Sequence, residues 1–247
     1  MKNLLEILIK EKPKFQVKSS SDDILNTEKY FYEGGRETSR FNRFSAALPY
    51  VSLAYIDSII NPDHLTLETG GGHSTIIFAN KVKKHYCINP DKTANKLIRE
   101  FLIQKECWTE NIIFIENSSD AVLPDLKTEG AIDVALIDGN HSFPFPIIDW
   151  YYLDKLMKPG SILLLDNVEI NSVQMLAQFL NSEPSYRLIK RMTNNIKYDC
   201  YVYQKVAANL TIGWGDQQIN KSNLLNLSMR AVYNKLYKYI KKIIKSS

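Results

Sequence analysis

From Leu65 onward, short apolar segments typical of strands alternate with segments whose apolar residues have helical spacing. This alternation is typical of βαβ units, in which right-handed helical crossovers join parallel strands. The last two strand-like segments, 186–192 and 197–206, are separated by only four residues. Four residues cannot house a crossover helix, so these strands are predicted to form an antiparallel hairpin. The sequence therefore predicts an α/β fold with a mostly parallel, doubly wound sheet that ends in an antiparallel hairpin.

Five strands are predicted in the parallel part of the sheet, at residues 65–68, 85–89, 112–116, 132–138 and 161–166. The fifth consists almost entirely of Ile and Leu, as expected for a strand that helices cover on both faces. A helix is predicted over 144–157, and Lys158, Pro159 and Gly160 are predicted to form the turn that follows it.

Three regions are predicted along the 247 residues: an N-terminal helical cap region (1–61), a core (62–206) and a basic amphipathic C-terminal tail (207–247). A helix is expected from Pro49 to Ile60, because Pro suits the first helical position and apolar residues then recur at helical spacing. The length is typical of one domain with additions.

The positive charge of the chain is concentrated in this C-terminal tail. The net charge is +4, but the residues from Gln217 onward hold seven basic and no acidic side chains, so the rest of the chain sums to −3. A body with that charge is not expected to bind nucleic acid. The tail has the pattern of a basic amphipathic helix, which can contact an anionic membrane, pack against a second copy in a homo-oligomer, or dock on its own domain.

The remaining composition favours a cytoplasmic protein. No apolar stretch approaches the roughly 18 residues that span a bilayer, and the first residues lack the cleavage site of a signal peptide. The three cysteines are odd in number, and Cys87 and Cys200 lie in apolar strand-like segments. Buried reduced thiols are therefore expected in place of disulfides or a zinc site.

A glycine-rich turn follows the first predicted strand. Glu68 ends the strand, Gly70, Gly71 and Gly72 form the turn, and Ser74 opens the next helix. Glycines allow a tight turn and close approach of the backbone to a ligand. The free N–H groups of a helix N-terminus attract a carboxylate or phosphate. This stretch therefore predicts a ligand-binding loop, although three glycines alone are also compatible with a tight loop without a ligand.

Polar residues end two later strands of the predicted sheet. Asp138 follows the fourth strand, and Asp166 and Asn167 follow the fifth. The carboxyl ends of parallel strands share one edge, so these side chains should emerge beside the glycine loop. Two carboxylates and an amide oxygen suit Mg²⁺ or a similar cation. Alternatively, Asp166 and Asn167 could cap the next helix.

With these motifs in view, the sequence resembles the class I S-adenosylmethionine-dependent methyltransferases, which have a Rossmann-like fold. Within them it is similar to the metal-dependent O-methyltransferases of the catechol and macrolide-sugar types, from about Pro62 to Val206. The resemblance implies that the stretch from Glu68 to Ser74 wraps the methionine half of the cofactor. An acidic residue usually receives the ribose hydroxyls, but this chain has Asn89 there, with Asp91 two residues further on. Ser118 stands where the family often has an Asp near the adenine.

The resemblance also implies a reaction. In these enzymes an Asp…Asp-Asn set holds the metal, which corresponds here to Asp138, Asp166 and Asn167, and a Lys or His three residues after the first Asp is the base, here His141. In metal-free relatives the counterpart of Asp138 binds the cofactor's amino group. The resemblance implies O-methylation of a small molecule, such as a catechol or sugar, with S-adenosylmethionine and Mg²⁺ as cofactors. The alternatives are a metal-free methyltransferase with a His base, or a cofactor-binding protein without turnover.

The other three histidines, His64, His73 and His85, belong to no such cluster of residues. They are predicted to be structural or surface residues.

Overall fold

The computed structural model describes residues 3–11, 13, 15, 48–107, 109–194 and 198–208. The chain divides into two compact units, residues 1–210 and 211–247, and the described residues all belong to the first. The predicted C-terminal helix and most of the predicted N-terminal region therefore lie outside the described residues. None of the described helices has both the length and the apolar character needed to cross a membrane.

Seven α-helices are described: α1 (Leu4–Glu11), α2 (Tyr50–Ile59), α3 (His73–Lys81), α4 (Lys92–Gln104), α5 (Ser119–Val122), α6 (Phe145–Leu156) and α7 (Asn171–Ser182). The described strands are β1 (Leu65–Thr69), β2 (Lys84–Ile88), β3 (Ile112–Ile115), β4 (Ile132–Ile137), β5 (Met157–Leu165), β6 (Tyr186–Asn194) and β7 (Tyr198–Lys205). A short 3₁₀ turn, Leu123–Asp125, follows α5.

These strands form one sheet in the order β3-β2-β1-β4-β5-β7-β6. The pairs among β1 to β5 are parallel, whereas β7 is antiparallel to both β5 and β6. The predicted α/β fold and its closing hairpin are thus confirmed. The sequence did not predict that β7, the last strand of the chain, lies between β5 and β6.

Helices cover both faces of the sheet. On one face, α1, α2, α3 and α4 pack on the sheet through buried side chains such as Leu8, Ile56 and Phe78. On the other face, α6 and α7 pack through residues such as Leu153 and Leu176. The central strand β1 is buried at every position, which explains its nearly unbroken burial pattern despite the polar residues in it.

The turn predicted at Lys158, Pro159 and Gly160 is wrong in its form. Here β5 runs from Met157 to Leu165 without a break, and the register with β4 shifts between Ile132 and Val134. Gly160 has a φ of +97° and Ser161 donates to the Ile132 carbonyl (2.6 Å). Turn-forming residues are therefore accommodated as a bulge within a paired strand, which local sequence cannot distinguish from a free turn.

A buried ion pair joins the hairpin to α6. Lys205 is 2% exposed, and its Nζ lies 2.8 Å from Asp154 Oδ1 and donates to the Asp154 carbonyl (2.6 Å). Tyr186 donates its hydroxyl to the same carboxylate at 2.6 Å. We expect Lys205→Met to lower the free energy of unfolding by about 3 kcal/mol, because it leaves a mostly buried carboxylate without its cation. Urea denaturation measures this change.

Lys158→Met is the matched control. Lys158 pairs with Asp133 at a similar 2.8 Å, but its side chain is 55% exposed. Exposed pairs contribute at most about 1 kcal/mol, so this variant should be close to the wild type. Equal losses in the two variants would contradict the assignment of the Lys205 effect to burial.

Candidate active site

Backbone hydrogen bonds between neighbouring strand ends bring the predicted site loops to one edge of the sheet. These bonds run from the N–H of Gly70 to Ile88 (2.9 Å), from Asp138 to Thr69 (3.0 Å), from Asp166 to Ile137 (3.0 Å) and from Asn89 to Ile115 (3.1 Å). Each of the four donors is the first or second residue after a strand. The loops that follow β1, β2, β4 and β5 therefore meet at the carboxyl edge, as the parallel strands require.

The glycine loop is tight at its first two positions. Gly70 has a φ of +87°, and a Cβ there would lie 2.2 Å from the Asp138 carbonyl oxygen. A Cβ on Gly71 would lie 2.9 Å from Asn89 Nδ2. Gly72 has extended backbone and donates its N–H to Thr75 Oγ1 (2.9 Å) at the start of α3. Sterics thus require glycine at positions 70 and 71, whereas Gly72 serves through its backbone N–H.

Glu68 lies beneath this loop and is completely buried. Its carboxylate accepts hydrogen bonds from Ser74 (2.6 Å), from Thr75 and from His85 Nε2 (3.1 Å). Ser74 is also buried, 2% exposed. In this structure both predicted cofactor residues therefore bond within the protein and fix the loop on α3. Their direct contact with the cofactor stays a prediction.

Asn89 ends β2 at the position where an acidic residue is usual. Its Nδ2 donates to Asn95 (2.8 Å), and its Oδ1 accepts the N–H of Asp91 at 3.3 Å. Asp91 caps α4 by accepting from the Ala94 N–H (2.9 Å). These contacts hold the Asn89 side chain and commit Asp91 to a structural role. Ser118 directly precedes α5 and makes no side-chain cap bond to that helix.

The acidic cluster consists of Asp138, His141 and Asp166. One ligand atom from each lies within 4.8 Å of the others. Burial, and after it the neighbouring Asp166 carboxylate, raises the pKa of Asp138 well above its ordinary value. His141 Nε2 lies 3.7 Å from Asp138 Oδ1 and is buried without a hydrogen bond in the described part of the chain. Burial lowers the pKa of His141, so its imidazole is neutral at pH 7.

This cluster has the chemistry of a divalent cation site. Two crowded carboxylates repel each other, as the raised pKa of Asp138 shows, and a cation would relieve that repulsion. Carboxylate oxygens are the donors that Mg²⁺ prefers, and an imidazole nitrogen would also suit other divalent metals. Asn167, with φ of +55°, directs its Nδ2 to Glu169 (3.0 Å). Its role as a metal ligand stays a prediction.

The alternative in which Asp166 and Asn167 cap the next helix is wrong. That helix, α7, begins at Asn171 with Ile170 in the cap position and has no side-chain cap bond. The two polar residues lie in the loop before it. The Ser172 hydroxyl, in the first turn of α7, instead donates to the His141 carbonyl, which joins the loops after β4 and β5.

Sequence reasoning did not single out Asp149, a buried acid on α6. It is 0% exposed, and neither carboxylate oxygen has a hydrogen-bond partner in the described residues. Burial raises its pKa to about 6, although the Ser119 and Thr69 hydroxyls lie close enough to lower it and Asp120 adds negative charge. Asp149 belongs to no motif, so its burial against the end of β1 was visible only in the structure.

Asp149→Asn should stabilise the protein above pH 6. A carboxyl whose pKa is near 3.9 when unfolded and about 6 when folded loses stability as the pH rises through that range. The full loss, present above pH 6, corresponds to about 3 kcal/mol for two pKa units. The amide cannot ionise, so the variant should exceed the wild type by up to about 3 kcal/mol at pH 8, and by much less at pH 4.5.

Urea denaturation of both proteins at pH 4.5 and pH 8 tests this. An advantage of the variant that is the same at both pH values would contradict the role of ionisation. Asp120→Asn, which changes an exposed acid on the neighbouring helix α5, is the control and should show little pH-dependent difference.

The comparisons with known proteins agree with this geometry. A family model described as a methyltransferase domain matches residues 67–168, which run from β1 to just past β5. This match spans less than half of the chain and contains the glycine loop, Asn89 and the acidic cluster. A comparison with curated protein sequences gives no match.

Several solved structures share the fold at low identity. The O-methyltransferase TomG from Streptomyces achromogenes, solved with SAM, has a TM-score of 0.56 and 17% identity over 66% of this chain and 82% of that chain. An rRNA methylase from Streptococcus thermophilus has a TM-score of 0.53 and 14% identity over 65% and 99% of the two chains. A precorrin 8w decarboxylase from Methanobacterium thermoautotrophicum has a TM-score of 0.51 and 14% identity over 65% and 92%.

At these identities the structural likeness shows the fold alone, and the named proteins differ widely in what they act on. The family match adds the methyltransferase domain over the residues that form the candidate site. Fold, domain match and loop geometry together support the assignment of this chain to the class I S-adenosylmethionine-dependent methyltransferases.

Proposed function

We propose that this protein transfers the methyl group of S-adenosylmethionine to a hydroxyl oxygen of a small molecule that bears neighbouring oxygens, such as a catechol or sugar. The observation that carries the proposal is the cluster of Asp138, His141 and Asp166, within 4.8 Å of one another beside the glycine loop. TomG, one of the structural neighbours, is named as an O-methyltransferase. That supports the oxygen acceptor but does not identify it.

The glycine loop would bind the methionine half of the cofactor. Gly70 and Gly71 leave no room for side chains and so let the backbone approach a ligand. The start of α3 adds N–H groups that suit the cofactor carboxylate. Gly71 touches Asn89, which places the proposed ribose contact next to the proposed carboxylate contact.

His141 would accept the proton of the acceptor hydroxyl. Its pKa is lowered by burial, so the neutral imidazole is present at pH 7, and its Nε2 has no protein partner among the described residues. A neutral ring nitrogen without a competing hydrogen bond is suited to general base catalysis. Alignment of the resulting oxygen with the sulfonium methyl would then complete the transfer.

Asp138, Asp166 and Asn167 would hold a divalent cation, with Mg²⁺ the first candidate. Such a cation would act as a Lewis acid on the acceptor hydroxyl and orient its neighbouring oxygen. The two carboxylates would supply the hard oxygen donors. The competing proposal is metal-free transfer with His141 as the sole base, in which Asp138 binds the cofactor. A binding protein without turnover is the third possibility.

Three measurements separate these functions. Calorimetry with S-adenosylmethionine tests the pocket, and no binding at millimolar cofactor would contradict all three. Release of S-adenosylhomocysteine with a library of acceptors distinguishes an enzyme from a binding protein. Activity that survives EDTA but is lost in His141→Ala would refute the cation and retain the base.

The basic amphipathic pattern of the tail supports a separate proposal: contact with an anionic membrane surface, with packing against a second copy as the alternative. Flotation with anionic liposomes should carry the full chain but not a chain truncated at Gly215. If neither or both float, the membrane contact is refuted. Oligomeric state by light scattering then tests the alternative.

A further inference from the structure

Beneath the glycine loop lies a closed hydrogen-bond network that we call the Glu68 network, formed by Thr66, Glu68, Ser74, Thr75 and His85. All five residues are at most 2% exposed. Glu68 accepts from three of them, and Thr75 also accepts the N–H of Gly72 (2.9 Å). The network therefore connects the middle of β1 and β2 to the backbone of the cofactor loop.

The network determines the tautomer of His85. An ionised carboxylate only accepts hydrogen bonds, so His85 Nε2, 3.1 Å from Glu68, must carry the proton. In the neutral ring Nδ1 is then an acceptor, which matches the Thr66 hydroxyl at 2.9 Å. Phe78 stacks on the ring with 4.8 Å between centroids. Both ring nitrogens and one ring face are thus occupied, so the imidazole is held in one orientation.

We propose that His85 is a positioning residue for cofactor binding, which acts by holding the Glu68 carboxylate in place under the glycine loop. This inference rests on the proposed function and deepens it. The prediction from sequence that His85 is merely structural or on the surface gave it no role in the site. A buried carboxylate is costly unless its oxygens are bonded, and His85 supplies one of the three bonds that hold Glu68 where Ser74 and Thr75 can reach it.

A metal site at the same place is the competing explanation. Glu68, His85 and Cys87 offer ligand atoms within 4.8 Å of one another. Burial raises the pKa of the Cys87 thiol well above its ordinary value, which opposes the thiolate that metals bind. Glu68 already accepts three hydrogen bonds, and Nε2 must be protonated to donate to it. These features favour the hydrogen-bond network.

Calorimetry with S-adenosylmethionine on a pair of variants tests the proposal. His85→Leu removes the donor to Glu68, and we expect it to weaken cofactor affinity at least tenfold. In His85→Gln the amide nitrogen can occupy the position of Nε2, and affinity should stay within about threefold of wild type, since the bond to Glu68 is the main contribution. At saturating cofactor the kcat of His85→Leu should remain near wild type while its KM for the cofactor rises.

Thr66→Val provides a second route if His85→Leu does not fold. Valine matches threonine in shape but removes the hydroxyl bonded to Nδ1, so cofactor affinity should fall several-fold. Lys205→Met is the stability control: it should lower Tm without changing cofactor affinity, because Lys205 pairs with α6 and not with the loop.

The outcomes distinguish the two proposals. A wild-type protein that binds no cofactor refutes the proposed function. A wild type that binds, with His85→Leu or, where that variant does not fold, Thr66→Val of equal affinity, refutes the positioning role alone. Loss of affinity in His85→Gln equal to that in His85→Leu also refutes it. Stoichiometric zinc in the purified wild type, absent from Cys87→Ala, would replace the network with a metal site.

Discussion

Replacing Asp166 with asparagine should reduce methyl transfer by at least about a hundredfold while leaving S-adenosylmethionine binding intact. The side chain is 4% exposed and lies within 4.8 Å of Asp138 and His141. Asparagine keeps its shape but removes the charge that would hold a divalent cation. A cation that polarises the acceptor contributes several kcal/mol to the transition state, which corresponds to about a hundredfold or more in rate.

Release of S-adenosylhomocysteine and calorimetry with the cofactor measure the two halves of this prediction. Asp120→Asn, which removes an exposed carboxylate from α5, should retain activity and shows whether general loss of negative charge matters. An Asp166→Asn enzyme that remains fully active would exclude its carboxylate from the reaction. Loss of cofactor binding together with activity would instead assign Asp166 to the cofactor pocket.

Gly70→Ala should abolish cofactor binding and strongly destabilise the protein. A Cβ at this position would lie 2.2 Å from the Asp138 carbonyl oxygen and 2.8 Å from its carbon, and both are backbone atoms. The φ of +87° adds strain for any residue with a Cβ. Backbone cannot move aside as a flexible side chain can, so the loops after β1 and β4 would have to separate. We expect a cost above about 3 kcal/mol and no measurable affinity.

Gly160→Ala is the matched control for this effect. Gly160 also has a positive φ, +97°, but a Cβ there would meet nothing within 4 Å. It therefore tests the backbone strain without the clash, with an expected cost of about 1–2 kcal/mol and unchanged cofactor affinity. Urea denaturation and calorimetry compare the two variants. Equal destabilisation would show that strain alone, and not contact with Asp138, explains the need for glycine in the loop.

Local patterns were sufficient to predict the architecture and the edge at which the site forms. Strand-like segments that alternate with helices permit few arrangements other than a parallel sheet, and the short link before the last strand requires a hairpin. In a parallel sheet every strand ends at the same edge. The meeting of the Gly70 loop with Asp138, His141 and Asp166 therefore follows from their positions just after the strands.

The tertiary structure decided features that depend on contacts between distant residues. The sequence shows a hairpin but not that β7 inserts between β5 and β6, because several pairings satisfy the same local pattern. It shows turn residues at Pro159 and Gly160 but not that pairing with β4 converts them into a bulge.

Side-chain partners were beyond sequence reasoning for the same physical reason. His85 looks like an isolated histidine until parallel pairing with β1 places it beside Thr66 and Glu68. Asp149 looks like an ordinary helix residue until α6 packs it against the sheet. Periodicity reports which face of an element is apolar, whereas the partner of a buried polar group is set by packing between elements. The sequence alone therefore determined the edge of the sheet at which the site forms, and packing determined which groups hold the site together.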